Sequence, residues 1–361
     1  MRIAMIFPKD SEAIFNKNSK RTFGGATVQM YLIAKELNSY KNLQIYSFIQ
    51  NYEEINFDEE DKFNLIKTFK EKDNILNKIN ILNKIIKEIK PEVIIQHGLT
   101  LYSCLLAIYC KKNKIKFVFM FASDIESQGR YQESGKKCIL FRILLKTAFI
   151  VITQNKFQQF LLMKKYSKQS TIIYNGFYLE NQSQVNKKFV LWVGRFQKIK
   201  RPEVFTELAK KFYKYNFIMI CTKTSNKNNE EYKNFLFNCR SIKNLRIIEF
   251  VRFAEINQYF KNARILVNTS KYEGFPQTFI QATMNATPII SLNVNPDNFL
   301  DKYECGLYAK GDFELMQKQL RRSIEDKRLF RKMSKNAYEY AKKNHNIKKN
   351  VNKLLSLINS K

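Results

Sequence analysis

The sequence predicts an α/β chain of two doubly wound parallel-sheet domains in tandem. Short apolar runs alternate with longer helical patterns along most of the chain. The runs are apolar throughout rather than at every second residue, as strands covered on both faces are. The same strand–helix grammar restarts after a polar interruption, which makes two domains rather than one.

The first series of strands reads at 2–8, 43–50, 92–98, 116–123, 149–154 and 170–176, from "RIAMIFP" to "STIIYNG". Helical patterns fall between them at 24–39, 74–89, 99–113, 135–147 and 156–166. The stretch "LENQSQVNKK" at 179–188 is polar and without period, so the linker is placed there. Strands then follow at 189–195, 216–222, 245–251, 263–270 and 287–294, alternating with helices at 202–214, 228–240, 255–262 and 276–286. From residue 312 the pattern is helical to the amphipathic "NVNKLLSLIN". Tandem sheets of this kind leave a cleft between the carboxyl ends of their strands, where such sheets bind ligands.

The 361 residues are 45% hydrophobic and 14% aromatic, ample for packed interiors. The opening apolar run stops at Pro8 and the longest others, such as "FVFMFA", are too short for a membrane span. A cytoplasmic address is therefore expected. None of the six cysteines (Cys104, Cys110, Cys138, Cys221, Cys239, Cys305) stands in a C-x-x-C pair. With His97 and His345 the only histidines, a zinc cluster is not expected and buried reduced thiols are. The formal charge of +31 should draw the chain to an anion, an acidic membrane face included, though much of the Lys also suits a solvated surface. The basic residues are dispersed without a nucleic-acid-binding pattern, so no nucleic-acid partner is expected.

Three constellations carry chemistry. In "TFGGATVQMYLIAKEL", Gly24 and Gly25 open onto a helix, where close backbone approach and free N–H groups favour an anion. An ordinary turn reads the same way, and no G-x-G-x-x-G is present. In "VLWVGRFQKIKRPEVF", Arg195 and Lys200 lie on the loop after the second domain's first strand, placed to neutralise a diphosphate. In "NTSKYEGFPQTFIQATMNATPIIS", Glu273 and Gly274 precede a helix with Pro276 in its first turn. That helix start offers unpaired N–H groups and a positive dipole end to phosphate oxygens, while Glu273 can accept from sugar hydroxyls. Gln277, Gln281 and Asn285 recur every four residues as one polar stripe; Gln281 could reach a ribose, and Asn285 reads equally as solvated. A diphosphate with a sugar at one end and a ribose at the other is a nucleotide-sugar.

On these residues the sequence resembles the retaining glycosyltransferases of family four, which share the GT-B fold of two Rossmann-like domains facing across a cleft. The resemblance runs from "FGGATVQ" to the C-terminal helices and is most specific in "YEGFPQTFIQATMNATPIIS", which matches an E-x7-E region. The wording is similar to a bacterial subgroup of surface-glycan synthesis. The resemblance implies an acceptor-side domain at 1–180, a nucleotide-sugar domain at 188–340 and a C-terminal helix at 341–361 packing back on the first. It implies Glu273 beside the donor sugar and the backbone of Gly274 and Phe275 near the sugar hydroxyls. Arg195 and Lys200 would hold the diphosphate, Gly25 the loop over the phosphates, and Phe250 and Val251 the base. Gln281 stands where the family has its second Glu; its amide can both donate to and accept from ribose hydroxyls. Residues 121–124, "FASD", lack the His many members carry there. Asp124 could position the acceptor or cap the following segment. His97 is expected to point to the cleft and His345 to lie on the surface.

The expected activity is transfer of a hexosyl or N-acetylhexosaminyl group, most simply from a UDP-sugar, to a glycan or lipid-linked acceptor. No cofactor and no metal are expected, since no D-x-D motif accompanies the site. The helical "LFRILLKTAF" at 140–149 could dock on an anionic inner leaflet, or simply pack the first domain. A catalytically silent nucleotide-binding relative serving as a partner subunit, and a basic nucleic-acid-binding protein, are the alternative readings.

Overall fold

The computed structural model describes residues 1–16, 19, 21, 23–51, 63–100, 102–122, 126–127, 135–179, 187–223 and 229–360. The chain divides into two compact units, Met1–Gly176 with Ile347–Lys361, and Phe177–Asn346.

The first unit holds strands β1 (Arg2–Ile6), β2 (Gln44–Ile49), β3 (Asn64–Lys67), β4 (Val93–His97), β5 (Lys116–Met120), β6 (Ile150–Thr153) and β7 (Thr171–Ile172). Every ladder is parallel, in the order β3-β2-β1-β4-β5-β6-β7. Its helices are α1 (Glu12–Phe15), α2 (Gly25–Leu37), α3 (Ile75–Ile89), α4 (Ser103–Lys112), α5 (Gly135–Thr147) and α6 (Lys156–Tyr166). Helices α3 to α6 share one core with the sheet, built on Leu82, Ile86, Leu106, Phe117, Phe119, Phe141 and Leu162. Helix starts are fixed locally: Asn74 accepts from the Asn77 amide at 2.8 Å and Asn155 from that of Gln158 at 2.7 Å.

The second unit repeats the plan with β8 (Phe189–Arg195), β9 (Phe217–Thr222), β10 (Leu245–Ile248), β11 (Ala263–Asn268), β12 (Ile289–Ser291) and β13 (Gly306–Tyr308). The order is β10-β9-β8-β11-β12-β13, again all parallel. Around it lie α7 (Pro202–Lys211), α8 (Asn229–Cys239), α9 (Phe253–Asn262), α10 (Gln277–Met284), α11 (Phe299–Lys302), α12 (Phe313–Glu325) and α13 (Lys327–Asn344). In both sheets the strand order reverses beside the first strand, between β1 and β4 and between β8 and β11. Loops leaving a parallel sheet part there and open a crevice at the carboxyl ends.

Helix α14 (Ile347–Asn359) belongs to the first unit and packs on α2. Asn350 donates to the Tyr174 carbonyl at 2.7 Å and Lys353 to that of Ile172 at 2.9 Å. The chain thus enters the second unit at Phe177, ahead of the polar stretch at 179–188, and leaves it at Asn346 rather than near 340. Two short strands go beyond the sequence pattern, β3 and β13, both at sheet edges. A Cβ on Gly306 of β13 would stand 2.2 Å from the Ile289 carbonyl oxygen, so only glycine lets this edge pair.

Five of the six cysteines are buried and all are free. Burial pushes the thiols of Cys110, Cys221 and Cys305 up to about 12, which leaves them inert.

Lys187 ties the entry to the second unit down. Its ammonium donates to the carbonyls of Lys261 and Asn285 at 3.1 and 2.9 Å and to Thr287 Oγ1 at 2.8 Å. It thereby caps the carboxyl ends of α9 and α10, where the helix dipoles are negative. Burial pulls its pKa down to about 8, so between that value and the ordinary 10.5 the unfolded chain binds the extra proton. Stability should therefore rise with pH across that window, by up to about 1.4 kcal/mol per unit from this group. Lys187→Met should lose that rise and about 1–3 kcal/mol overall, read by denaturant unfolding at pH 7.5, 8.5 and 9.5.

Candidate active site

The second unit's crevice is formed by the ends of β8 and β11. Arg195 is the last residue of β8 rather than a loop residue, and its half-buried guanidinium has no ion-pair partner among the described residues. Five residues on, the Lys200 ammonium meets Glu273 Oε2 at 2.5 Å. The other carboxylate oxygen of Glu273 accepts from Asn268 Nδ2 at 3.0 Å. Asn268 ends β11 and is buried, so Glu273 is held on both sides. The Lys200 and Glu273 side chains are 22% and 16% exposed, sheltered enough for a charge-assisted bond of roughly 1.5–3 kcal/mol. A phosphate oxygen approaching Lys200 would share that ammonium with Glu273.

What brings the two loops together is Thr269, fully buried, the residue after β11. Its hydroxyl proton is shared between the carbonyls of Lys200 at 2.6 Å and Arg201 at 2.9 Å. Its oxygen accepts from Trp192 Nε1 at 3.0 Å, and the Lys271 amide donates to the Ile199 carbonyl at 2.9 Å. Arg201 is left-handed, with φ 50°, and hands the loop to Pro202 at the first position of α7.

Helix α10 starts immediately after the Glu273–Pro276 turn. Pro276 is its N-cap, with φ −59° and ψ 131°, not a first-turn residue. The Phe279 amide turns back to the Pro276 carbonyl at 3.0 Å, so the helix start is not wholly unpaired; the Thr278 amide has no partner among the described residues. Phe275 is buried, its ring 5.2 Å from that of Phe299 and 5.0 Å from that of His345. Only its backbone and that of Gly274 can therefore face a ligand. Gln277 and Gln281 are half-buried along α10. Asn285 is not solvated: it is buried at the helix end, donating to Asn257 Oδ1 at 2.6 Å and the Gln281 carbonyl at 2.8 Å. Phe250 and Val251 are half-buried in irregular backbone after β10. His345 is buried at the end of α13 beside Tyr340, not on the surface; it supports the Phe275 turn from beneath.

The first unit's crevice is already furnished by the chain. Asp10 accepts from the Gly24 amide at 2.6 Å and from the Thr27 hydroxyl, so a carboxylate sits at the start of α2. Asp10 thus takes the amide of the N-cap residue Gly24 and sets a negative charge at the helix start. His97, at the end of β4, is buried rather than open. Its Nδ1 lies 3.2 Å from the Ala26 carbonyl, and its Nε2 lies 2.9 Å from Gln154 Nε2. Nε2 is also 2.9 Å from the Phe121 carbonyl, so each ring nitrogen faces a carbonyl, and Gln154 Nε2 donates to that same Phe121 carbonyl at 2.5 Å. Gly98, with φ +88°, turns the chain next to it, and Glu126 clasps the amides of Leu99 and Ala122, each at 2.9 Å. Asp124 lies outside the described residues.

Residues 179–343 match the family model "Glycosyl transferases group 1". That stretch is similar to a group 1 glycosyl transferase domain. It contains Arg195, Lys200, Glu273 and α10 together. No curated protein matches the sequence. Among solved structures, the sucrose-phosphate synthase of Thermosynechococcus elongatus superposes with a TM-score of 0.78 at 15% identity, covering 100% of this chain and 98% of the other. HepE of Anabaena in complex with UDP gives 0.76 at 14%, covering both chains fully. WaaG, a glycosyltransferase involved in lipopolysaccharide biosynthesis, gives 0.65 at 14%, covering 99% of each. Likeness at this identity shows the fold alone, which is GT-B.

Thr269, Trp192, Asn268 and Asp10 are the working residues that sequence reasoning passed over. The polar run "NTS" directly after an apolar strand is the one signal that marks the first of them.

Burial lowers the pKa of His97 below the ordinary 6.5, so the unfolded chain takes up a proton that the folded one resists. As pH falls from 6.5, stability should drop by up to about 1.4 kcal/mol per unit from this group. The loss should be smaller in His97→Gln, measured by urea unfolding at pH 7, 6 and 5.

Proposed function

We propose that the chain is a retaining glycosyltransferase that moves a sugar from a nucleotide-sugar, most simply a UDP-sugar, to a glycan or lipid-linked acceptor. The observation that carries this reading is the convergence of Arg195, Lys200, Glu273 and the start of α10 inside the group 1 glycosyl transferase match. The UDP in the HepE structure supports the donor class, and the involvement of WaaG in lipopolysaccharide biosynthesis supports bacterial surface-glycan synthesis. The work would take place in the cytoplasm, at the membrane face where lipid-linked acceptors are presented.

In this reaction the bond from the anomeric carbon to the diphosphate oxygen breaks. The acceptor oxygen bonds to that carbon on the same face, and its proton passes to the departing phosphate. No dedicated base and no metal are needed. The protein's contribution is to stabilise charge on the leaving diphosphate, through the Arg195 guanidinium, the Lys200 ammonium and the positive end of α10. Glu273, held by Asn268, accepts from the sugar hydroxyls and hands Lys200 over to the phosphates. Gln281 serves the ribose, Phe250 and Val251 the base, and Asp124 the acceptor.

Gln281 in place of a carboxylate motivates the second reading, a nucleotide-binding relative without turnover. Release of nucleoside diphosphate by the purified chain from a panel of UDP-, GDP- and ADP-sugars separates the two. The active reading predicts turnover with one nucleotide family and a product of unchanged anomeric configuration by NMR. Arg195→Ala should lower the rate by about 10²–10³, equivalent to about 2.7–4 kcal/mol. Binding without diphosphate release from any donor would favour the silent relative.

A further inference from the structure

The first unit exposes its large apolar side chains on one side only. Among the described residues, those that are exposed in this unit all lie on the helical layer α3 to α6, and none on α2 or α14. On α6, Phe157, Phe160 and Met163 stand outward at 44%, 58% and 49% exposure, while Gln158, Leu161 and Leu162 face the core. Helix α5 turns Ile139 and Leu140 outward, and α4, which packs on it, Leu105 and Ile108. Phe141 of α5 meets Tyr166 of α6 edge-on at 5.2 Å, so the three helices are continuous neighbours.

The charge on these helices has one sign. Helices α4, α5 and α6 contain no Asp or Glu. Exposed among the apolar groups are Lys111, Lys112, Arg142, Lys146, Lys164 and Lys165. The Lys164 ammonium lies 5.7 Å from the Phe160 ring centre and the Arg142 guanidinium 5.6 Å from that of Tyr166. Cations beside an exposed Phe160 and a half-buried Tyr166 are what an interfacial helix presents to a headgroup layer. No helix among the described residues is long and apolar enough to cross a membrane.

We infer that the outward face of α4, α5 and α6 docks on an anionic lipid bilayer. Phe157, Phe160 and Met163 enter the acyl boundary, and the lysines pair with acidic headgroups. The occupant is a lipid surface because the face combines bulky apolar groups with uniform positive charge. Nucleic acid would leave Ile139, Leu140 and Met163 unused, and a second copy of this cationic face would repel it. The stretch 140–149 itself is mostly core, with Phe141, Leu144, Leu145 and Ala148 buried; its neighbours carry the surface. The inference is independent of the sugar-transfer reading.

The test is flotation of the full chain with vesicles of phosphatidylglycerol and phosphatidylethanolamine, against vesicles of phosphatidylcholine alone. Wild type should float with the anionic vesicles and not the neutral ones. Phe157→Ser/Phe160→Ser/Met163→Ser should lower the partition coefficient at least about tenfold. Lys164→Glu/Lys165→Glu should lower it too, and Phe237→Ser, equally exposed in the second unit, should not. All three variants alter exposed positions, and a melting temperature like that of wild type checks that they fold. Absence of anionic-vesicle binding, binding undiminished in both α6 variants, or a wild-type dimer that the serine variant dissociates would each overturn the inference.

Discussion

The candidate site depends on a single buried hydroxyl. Thr269 leaves β11 and takes hold of the carbonyls of Lys200 and Arg201, which belong to the loop after β8. Two loops that part at the strand-order reversal are thereby tied across the crevice they open. Without the tie, Lys200 would sit on an exposed loop, where a lysine ion pair contributes little. With it, Lys200 and Glu273 meet at 2.5 Å, and Asn268 completes the arrangement from the same strand end. Trp192 supplies the other bond to the hydroxyl, so the interior of β8 and the rim of the site are one hydrogen-bonded chain.

The two units use the same topological place in different ways. In the second, the charges at the reversal are two cations and one carboxylate, an arrangement open to a diphosphate. In the first, the helix start at Gly24 is met by Asp10, and the neutral His97 bridges β4 to the first turn of α2. The described polar groups there are thus bonded to one another. One fold, used twice, presents different side chains at the two reversals.

Much of this was legible in the residues. The central strands read correctly because burial on both faces makes them uniformly apolar. Arg195, Lys200 and Glu273 could be singled out because each ends a readable strand or lies on the loop that leaves one. The edge strands β3 and β13 were not legible: three or four half-covered residues carry no pattern. His345 was misread because its burial depends on Phe275, far back in the chain, as well as on the nearby Tyr340. Thr269 and Asp10 act through bonds spanning 69 and 14 residues, which no local pattern encodes.

The most direct measurement is a calorimetric titration of UDP, GDP and ADP into wild type and Thr269→Val, a substitution that keeps the shape and deletes the hydroxyl. Wild type should select one nucleotide. The variant, still folded, should bind it at least about tenfold more weakly because Lys200 and Glu273 are no longer held together. Equal affinity in the two proteins, or no nucleotide binding by wild type, would contradict it.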